Sequence, residues 1–202
     1  MPISSLPSPY GIGTLGKTAY DWINFLKESG QSWWQILPLG PTSYGDSPYQ
    51  SFSSAAGNPY LIDLDMLIEE GLLEKKDLSG INWGENPERV DYGAIFNSRF
   101  SVLHKAYLKG KDTMKEEFEA FREENEEWVE DYALFMSLKK HFDMKSWLDW
   151  PDEKARKRDE DALKSYREAL SDDISYYAFL QFLFFRQWNN LRRYAKKNNI
   201  GI

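Results

Sequence analysis

The first part of the chain carries a helix-type pattern of apolar residues followed by a strand-type pattern. Over residues 17–29 apolar side chains recur at intervals of three and four, which predicts an amphipathic helix: Ala19, Trp22, Ile23 and Leu26. Gly30 follows at a position where helices commonly end. Residues 33–39 are then apolar at nearly every position, which is typical of a strand covered on both faces in a parallel sheet. A helix followed by a buried strand predicts an α/β fold.

Most of the remaining chain has helical patterns. One predicted helix starts near residue 90, ends at residues 109–110, and carries apolar residues along one face: Phe96, Phe100, Leu103 and Tyr107. The letters Thr-Met-Lys-Glu at residues 113–116 have the pattern of a capping box and predict the start of another helix. Residues 153–170 predict one charged helix, and residues 171–197 predict a long helix with acidic residues at its start and basic residues at its end.

The helix predicted over residues 171–197 is apolar on most of its circumference, with Phe182, Phe185 and Trp188 among its large side chains. A helix that is apolar all round is buried on several sides. We therefore expect it to need more neighbours than the upstream residues supply, and we expect the sequence to be part of a longer protein.

Residues 40–60 form a predicted loop that is long and rich in aromatic residues. Loops longer than about 12–15 residues usually have a function or are disordered, and the aromatic residues argue against disorder. Tyrosine rings stack on the apolar faces of sugars, while Ser, Gln and Asp side chains form hydrogen bonds with hydroxyl groups. The residues alone leave two interpretations open: a carbohydrate site, or a self-packed Ω-loop whose tyrosines fill its own interior.

Composition and charge exclude several classes of function. The 25 Lys and Arg residues against 32 Asp and Glu residues give a net charge of −7, so no nucleic-acid partner is expected. The absence of cysteine excludes disulfides, thiolate metal sites and cysteine nucleophiles. His104 and His141 lack a third ligand at a metal-site spacing, and no glycine loop fits a phosphate-binding fingerprint, so neither a metal nor a cofactor is expected. No segment approaches the roughly 20 apolar residues of a membrane span.

Five segments, in order along the chain, carry the motifs of a known enzyme family. They are S-L-P-S-P-Y-G-I-G-T-L-G from Ser5, Q-I-L-P-L-G-P-T-S-Y-G-D-S-P-Y-Q-S-F-S from Gln35 with A-G-N-P-Y-L-I-D-L ending at Leu64, V-D-Y-G from Val90, W-V-E-D-Y-A-L-F-M from Trp128, and F-L-F-F-R-Q-W ending at Trp188. The sequence closely resembles the amylomaltases, the bacterial 4-α-glucanotransferases of glycoside hydrolase family 77.

The resemblance implies an α/β fold, part of a (β/α)₈ TIM barrel with a large, mostly helical inserted subdomain. Residues 1–40 would start the catalytic barrel with its first helix and second strand. Residues 41–170 would form the inserted loop and helical subdomains, and residues 171–202 the barrel helix leading into the third strand. The rest of the barrel is expected to be absent from this sequence.

The implied activity is the transfer of α-1,4-glucan segments between maltodextrins in the cytoplasm, by a retaining double displacement. An Asp acts as nucleophile and a Glu as general acid and then base. In the family these carboxylates lie after the segment that corresponds to Ile202. No catalytic residue is therefore assigned, and the polypeptide alone is expected to be inactive.

The resemblance also nominates five glucan-binding residues. Tyr49 matches a tyrosine of the donor site near the scissile bond, and Ser47 and Gln50 belong to the same lining. Tyr44 matches a tyrosine of a second glucan site outside the active cleft. Phe96 stands where that site has its partner tyrosine, so the ring is kept and the hydroxyl is lost.

Two functions of other classes stay open. One is a stand-alone glucan-binding module built on the aromatic loop, and the other is a helical interaction module that docks a partner through its C-terminal helix. Asn58 and Asp63 are interpreted as residues that hold the loop, because Asx side chains stabilise turns.

Overall fold

A computed structural model describes residues 1–86 and 88–202, and these residues form eight α-helices. The helices are α1 (Lys17–Glu28), α2 (Leu64–Glu69), α3 (Tyr92–Thr113), α4 (Lys115–Glu124), α5 (Val129–His141), α6 (Glu153–Arg156), α7 (Glu160–Ala169) and α8 (Ser171–Lys197). Short 3₁₀ turns occur at Ile3–Ser5, Pro59–Leu61, Lys75–Leu78 and Trp147–Asp149. The residues group into two compact units, one of Met1–Met114 with Leu183–Ile202 and one of Lys115–Phe182.

Helix α1 confirms the amphipathic helix expected near the start of the chain. Its buried residues are Ala19, Ile23 and Leu26, and Gly30 has a φ of +69°, a conformation that favours glycine and ends the helix. The Tyr194 hydroxyl of α8 donates a 2.6 Å hydrogen bond to Asn24 Oδ1 of α1. The two helices are thereby joined within the first unit.

The strand predicted over residues 33–39, covered on both faces, is not observed in the structure. Among the described residues, this segment forms one parallel bridge, between Trp33 and Gly201, in which Trp34 N–H donates to Gly201 O at 2.8 Å and Gly201 N–H donates to Ser32 O at 2.8 Å. Trp34 is buried, whereas Trp33 is 73% exposed. A strand needs continuous pairing on at least one side, and beyond Trp34 the described residues supply only the bond from Asn58 N–H to Leu39 O.

The helix start predicted at residues 113–116 is confirmed by α4, which begins at Lys115, but the capping box itself is wrong, because α3 runs past its predicted end at residues 109–110 and includes Thr113. The Thr113 hydroxyl donates to Lys109 O at 3.0 Å, a bond to the carbonyl four residues earlier that forms inside a helix. At its other end, α3 begins near residue 90 as predicted, where Asp91 accepts a hydrogen bond from Ala94 N–H at 2.9 Å.

In the second unit, the single helix predicted over residues 153–170 is divided into α6 and α7. Arg158 between them has a φ of +56°, and Asp159 caps α7 by accepting from Ala162 N–H at 3.0 Å. Asp152 caps α6 in the same way. Two aspartates that prefer N-cap positions thus start two short helices.

Helix α8 matches its predicted bounds, and most of its apolar residues are buried by the chain itself. Phe179 and Leu180 are fully buried in the second unit, and Phe184 and Leu191 are buried in the first. The expectation that the helix lacks neighbours is therefore wrong for most of its length. Among the helices described, none has the length and apolar character needed to cross a membrane.

Candidate functional site

The loop of residues 40–60 is closed at its base by its own sequence. Asn58 N–H donates to Leu39 O at 2.8 Å, which joins the two ends of the loop. The Asn58 side chain accepts from Tyr60 N–H at 3.0 Å and starts the turn Pro59–Leu61. This confirms that Asn58 holds the loop.

Inside the loop, backbone hydrogen bonds define a hairpin with two successive turns. An antiparallel bridge joins Thr42 to Ser51. Asp46 N–H donates to Ser43 O at 3.0 Å, and Gln50 N–H donates to Ser47 O at 3.0 Å. The first turn contains Gly45 with a φ of +96°, a conformation that a side chain would strain. The backbone of this segment is therefore held by its own hydrogen bonds.

Buried polar groups around Asp63 hold the segment that follows the loop. Asp63 accepts from the Thr14 hydroxyl at 2.5 Å and from Met66 N–H at 2.9 Å, which caps α2 and confirms its role in holding the turn. The side chain of Gln187, 2% exposed, accepts from Asp63 N–H at 2.7 Å and donates to Asp63 O at 3.1 Å. Arg99 Nη2, fully buried, donates to Ile62 O. Helices α2, α3 and α8 are thus bonded to residues directly after the loop.

Burial alters the acid–base behaviour of the groups beneath the loop. Burial raises the pKa of Asp46, although the hydrogen bond from the Thr42 hydroxyl (3.3 Å) opposes the change. Burial, with the negative charge of Asp46, raises the pKa of Tyr60 to about 12 and also raises the pKa of Tyr92. Burial lowers the pKa of Arg99 to about 10. The tyrosines are neutral hydrogen-bonding groups at ordinary pH, so they give this region no nucleophile.

A small cavity of about 90 Å³ lies beneath the loop, with Leu37, Thr42, Asp46, Asn58 and Tyr92 among its lining residues. Ligand sites for small organic molecules usually have about 300–1,000 Å³. The cavity is therefore too small for a sugar chain, and the exposed outer face of the loop is the surface available to a ligand.

The loop presents four of the five nominated residues. Tyr44 is fully exposed and Tyr49 is 77% exposed, while Gln50 is exposed and Ser47 half-buried. Ser47 Oγ accepts from Tyr49 N–H at 3.4 Å, so these two residues share one turn. The interior of the loop is not filled by Tyr44 or Tyr49, which argues against the interpretation that both serve only its packing.

Phe96, the fifth nominated residue, lies on α3 rather than on the loop. Its ring is 44% exposed and meets Phe100 edge-on at a centroid distance of 5.8 Å. Phe100 in turn lies 5.8 Å from the ring of Tyr60, at the end of the loop. Phe96 therefore belongs to an aromatic cluster that adjoins the loop.

Sequence reasoning missed the polar groups that support the site, above all Arg99 and Gln187. One signal for Arg99 was present, since it stands four residues from both Ile95 and Leu103 on the buried face of α3. Gln187 lies on the nearly all-apolar helix α8, but its partner, 124 residues earlier in the chain, leaves no local signal. Within the described part of the chain, no group of three or more His, Asp or Glu side chains is arranged to hold a metal ion.

The family of 4-alpha-glucanotransferases, glycoside hydrolase family 77, matches residues 1–202. The chain belongs to this family. It is 52% identical over 203 aligned residues to a 4-alpha-glucanotransferase of Clostridium butyricum, covering 100% of this chain and 41% of the relative. It is 48% identical to one of Thermus thermophilus, covering 98% of this chain and 39% of that protein. The chain thus spans about two fifths of the length of these family members.

Solved structures agree with this membership. The amylomaltase of Streptococcus agalactiae, solved in complex with acarbose, superposes with a TM-score of 0.93 at 46% identity, covering 99% of this chain and 41% of that one. The amylomaltase of Corynebacterium glutamicum gives a TM-score of 0.71 at 18% identity over 98% of this chain and 28% of that one, which shows the shared fold. This chain therefore folds like the corresponding portion of an amylomaltase.

Proposed function

We propose that this chain supplies glucan-binding surfaces to a 4-α-glucanotransferase that acts on maltodextrins. The observation that carries the proposal is the loop of residues 40–60, in which Tyr44 and Tyr49 are exposed on a backbone held by its own hydrogen bonds. Exposed aromatic rings on a rigid support lose little conformational entropy when a ligand binds. Membership of the family supplies the class of ligand.

Each nominated residue has a role that suits its chemistry. Tyr49 stacks on a glucosyl ring of the donor chain, while Ser47 and Gln50 form hydrogen bonds with its hydroxyl groups. Tyr44 and Phe96 serve a second glucan-binding surface, where Phe96 contributes the apolar face of a ring without a hydroxyl. The hydrogen bonds from Tyr49 N–H to Ser47 Oγ and from Gln50 N–H to Ser47 O hold the backbone that carries Tyr49.

The fold proposal places residues 1–40 and 171–202 in a (β/α)₈ barrel and residues 41–170 in an insertion. The parallel bridge between Trp33 and Gly201 supports it, because neighbouring strands of such a barrel run parallel. A cytoplasmic location belongs to the same proposal and agrees with a sequence that has no cysteine.

In the proposed enzyme, a carboxylate attacks the sugar, a second carboxyl group protonates the leaving chain, and a glucan acceptor replaces water. This chain's contribution is to hold and orient the donor. Correct placement of a bound chain lowers the entropic cost of reaction, and a surface of stacked aromatic rings favours a second glucan over water.

The proposal is tested by recording amide NMR spectra of the chain while maltoheptaose is added. We expect saturable shifts of the amides of residues 44–50. Tyr49→Ala should weaken this binding roughly tenfold through loss of the ring, and Tyr49→Phe roughly threefold through loss of one hydrogen bond. Phe25→Ala on α1 removes another exposed ring and serves as the control. Absence of shifts in residues 44–50, or equal binding by Tyr49→Ala, would refute the proposal.

A further inference from the structure

The unit Lys115–Phe182 contains a cavity of its own, with a volume of about 280 Å³. We call it the indole cavity, because Trp147 and Trp150 are among its lining residues, together with Asp131, Arg156 and Arg158. None of its lining residues belongs to the loop of residues 40–60. Its volume is near the lower end of the range for small-molecule sites, which suits a short ligand or one end of a chain.

The two indoles of the cavity differ in burial. The Trp150 ring is 4% exposed and packs against Phe142 at 5.2 Å and against Phe135 at 5.9 Å between centroids. Trp150 Nε1 also donates to Lys145 O at 3.3 Å, so the ring is fixed. Trp147, in the turn Trp147–Asp149, is 49% exposed. The cavity therefore combines a fixed aromatic wall with a ring that a ligand can reach.

One polar group of the cavity is left without a partner. Arg156 Nη1 donates to Leu148 O at 3.1 Å, but its Nε is buried and has no hydrogen-bond partner among the described residues. A buried donor of this kind keeps its full desolvation penalty until an acceptor reaches it. Arg156 is thus a lining residue of the cavity with one buried N–H that no described group satisfies.

The charges of the cavity argue against an anionic ligand. Arg158 Nη2 donates to Asp131 Oδ2 at 2.8 Å, and Arg167 lies 3.5 Å from the other carboxylate oxygen. The carboxylate of Asp131 thus already accepts from Arg158, and it repels an anion that approaches that arginine. A purely apolar ligand is also disfavoured, because it would leave Arg156 Nε unpaired.

A neutral sugar ring satisfies both conditions. Its apolar face stacks on an indole, and one of its hydroxyl oxygens accepts from Arg156 Nε. We propose that the indole cavity binds a glucosyl unit of an α-glucan, as a site additional to the loop. The choice of glucose among neutral sugars rests on the function proposed above, whereas the site itself rests on the lining of the cavity.

The test uses the indole N–H signals of the chain while maltoheptaose is added. Loss of a signal in Trp147→Phe and in Trp150→Phe identifies the two indoles. We expect both signals to shift saturably in the unmodified chain. Trp147→Ala should weaken the affinity for maltoheptaose, as measured from the Trp150 signal, roughly tenfold. Arg156→Lys, which removes the Nε donor and keeps the charge, should weaken it roughly threefold. Trp33→Ala, which removes another exposed indole, serves as the matched control.

Either of two results with maltoheptaose would overturn the inference: no shift of the Trp147 and Trp150 signals, or a Trp150 shift that Trp147→Ala leaves unchanged. Inorganic phosphate is titrated in parallel, and shifts with phosphate but not with maltoheptaose would also overturn it. Shifts of residues 44–50 without shifts of the two indoles would leave the proposed function standing and remove this site. Shifts of the indoles alone would keep the site and remove the function assigned to the loop.

Discussion

The hydrogen bonds between Gln187 and Asp63 make a quantitative prediction for the variant Gln187→Met. Methionine has a similar length, so the change removes both bonds without opening a large cavity. The backbone N–H and C=O of Asp63 then lose partners at 2.7 Å and 3.1 Å in a buried region. An unpaired buried group costs about 1–3 kcal/mol, so the free energy of unfolding should fall by about 3 kcal/mol after part of the loss is relieved by relaxation.

The measurement is urea unfolding followed by far-ultraviolet circular dichroism. Gln187→Met should lower the midpoint while the slope with urea stays the same, which indicates a change in stability rather than in the unfolded state. Asn189→Met, at an exposed position on the same helix, is the control and should change stability by less than about 0.5 kcal/mol. A loss below about 1 kcal/mol in Gln187→Met would refute the reasoning, since the Asp63 backbone groups would then have other partners.

Three further changes have distinct expected results. Gly57→Ala should lower the thermal midpoint, with a cost of about 1–3 kcal/mol, because a Cβ there overlaps the buried ring of Phe184; an unchanged midpoint would show that the ring moves aside. Burial raises the pKa of Tyr60 and of Tyr177 to about 12, so unfolded tyrosines, with a pKa of about 10, lose protons first, and stability should fall between about pH 10 and about pH 12. Equal urea midpoints at about pH 9 and about pH 11.5, with tyrosinate absorbance as the check on ionisation, would contradict this. Lys140→Ala breaks a 2.7 Å ion pair with Asp173 in which the lysine is half-exposed, and should cost less than about 1 kcal/mol in urea unfolding; a larger loss would mean that the pair is shielded from solvent.

Local pattern was sufficient for the elements whose bounds are set by residues within the segment itself. Helices α1 and α8 lie within a residue of the predicted bounds, because apolar spacing and terminal residues are properties of the segment itself. The same holds for Asn58 and Asp63, whose short side chains bond to backbone groups two or three residues away. The division of residues 153–170 into two helices escaped prediction, since Asp159 acts as a cap in competition with continued helix.

The loop shows where pattern reasoning stops. Its composition was equally consistent with a ligand-binding surface and with a loop that packs its tyrosines inside. The sequence does not show whether an aromatic ring faces solvent or the interior of the loop. The structure distinguishes the tyrosines, with Tyr44 and Tyr49 exposed and Tyr60 buried. Tyr60 is buried where it packs against the rings of Tyr92 and Phe100 on α3.

The sequence by itself determined the family, the positions of the long helices and the loop that carries the nominated tyrosines, because each is encoded in contiguous residues. Tertiary structure decided the polar support of that loop, where Gln187 reaches Asp63 across 124 residues and the fully buried Arg99 bonds to Ile62 O. The tertiary structure also determined the indole cavity and left Arg156 Nε unpaired, and no local sequence pattern predicts either feature. The physical reason is that hydrogen-bond satisfaction depends on distances between side chains in space, and the sequence pattern records only their order along the chain.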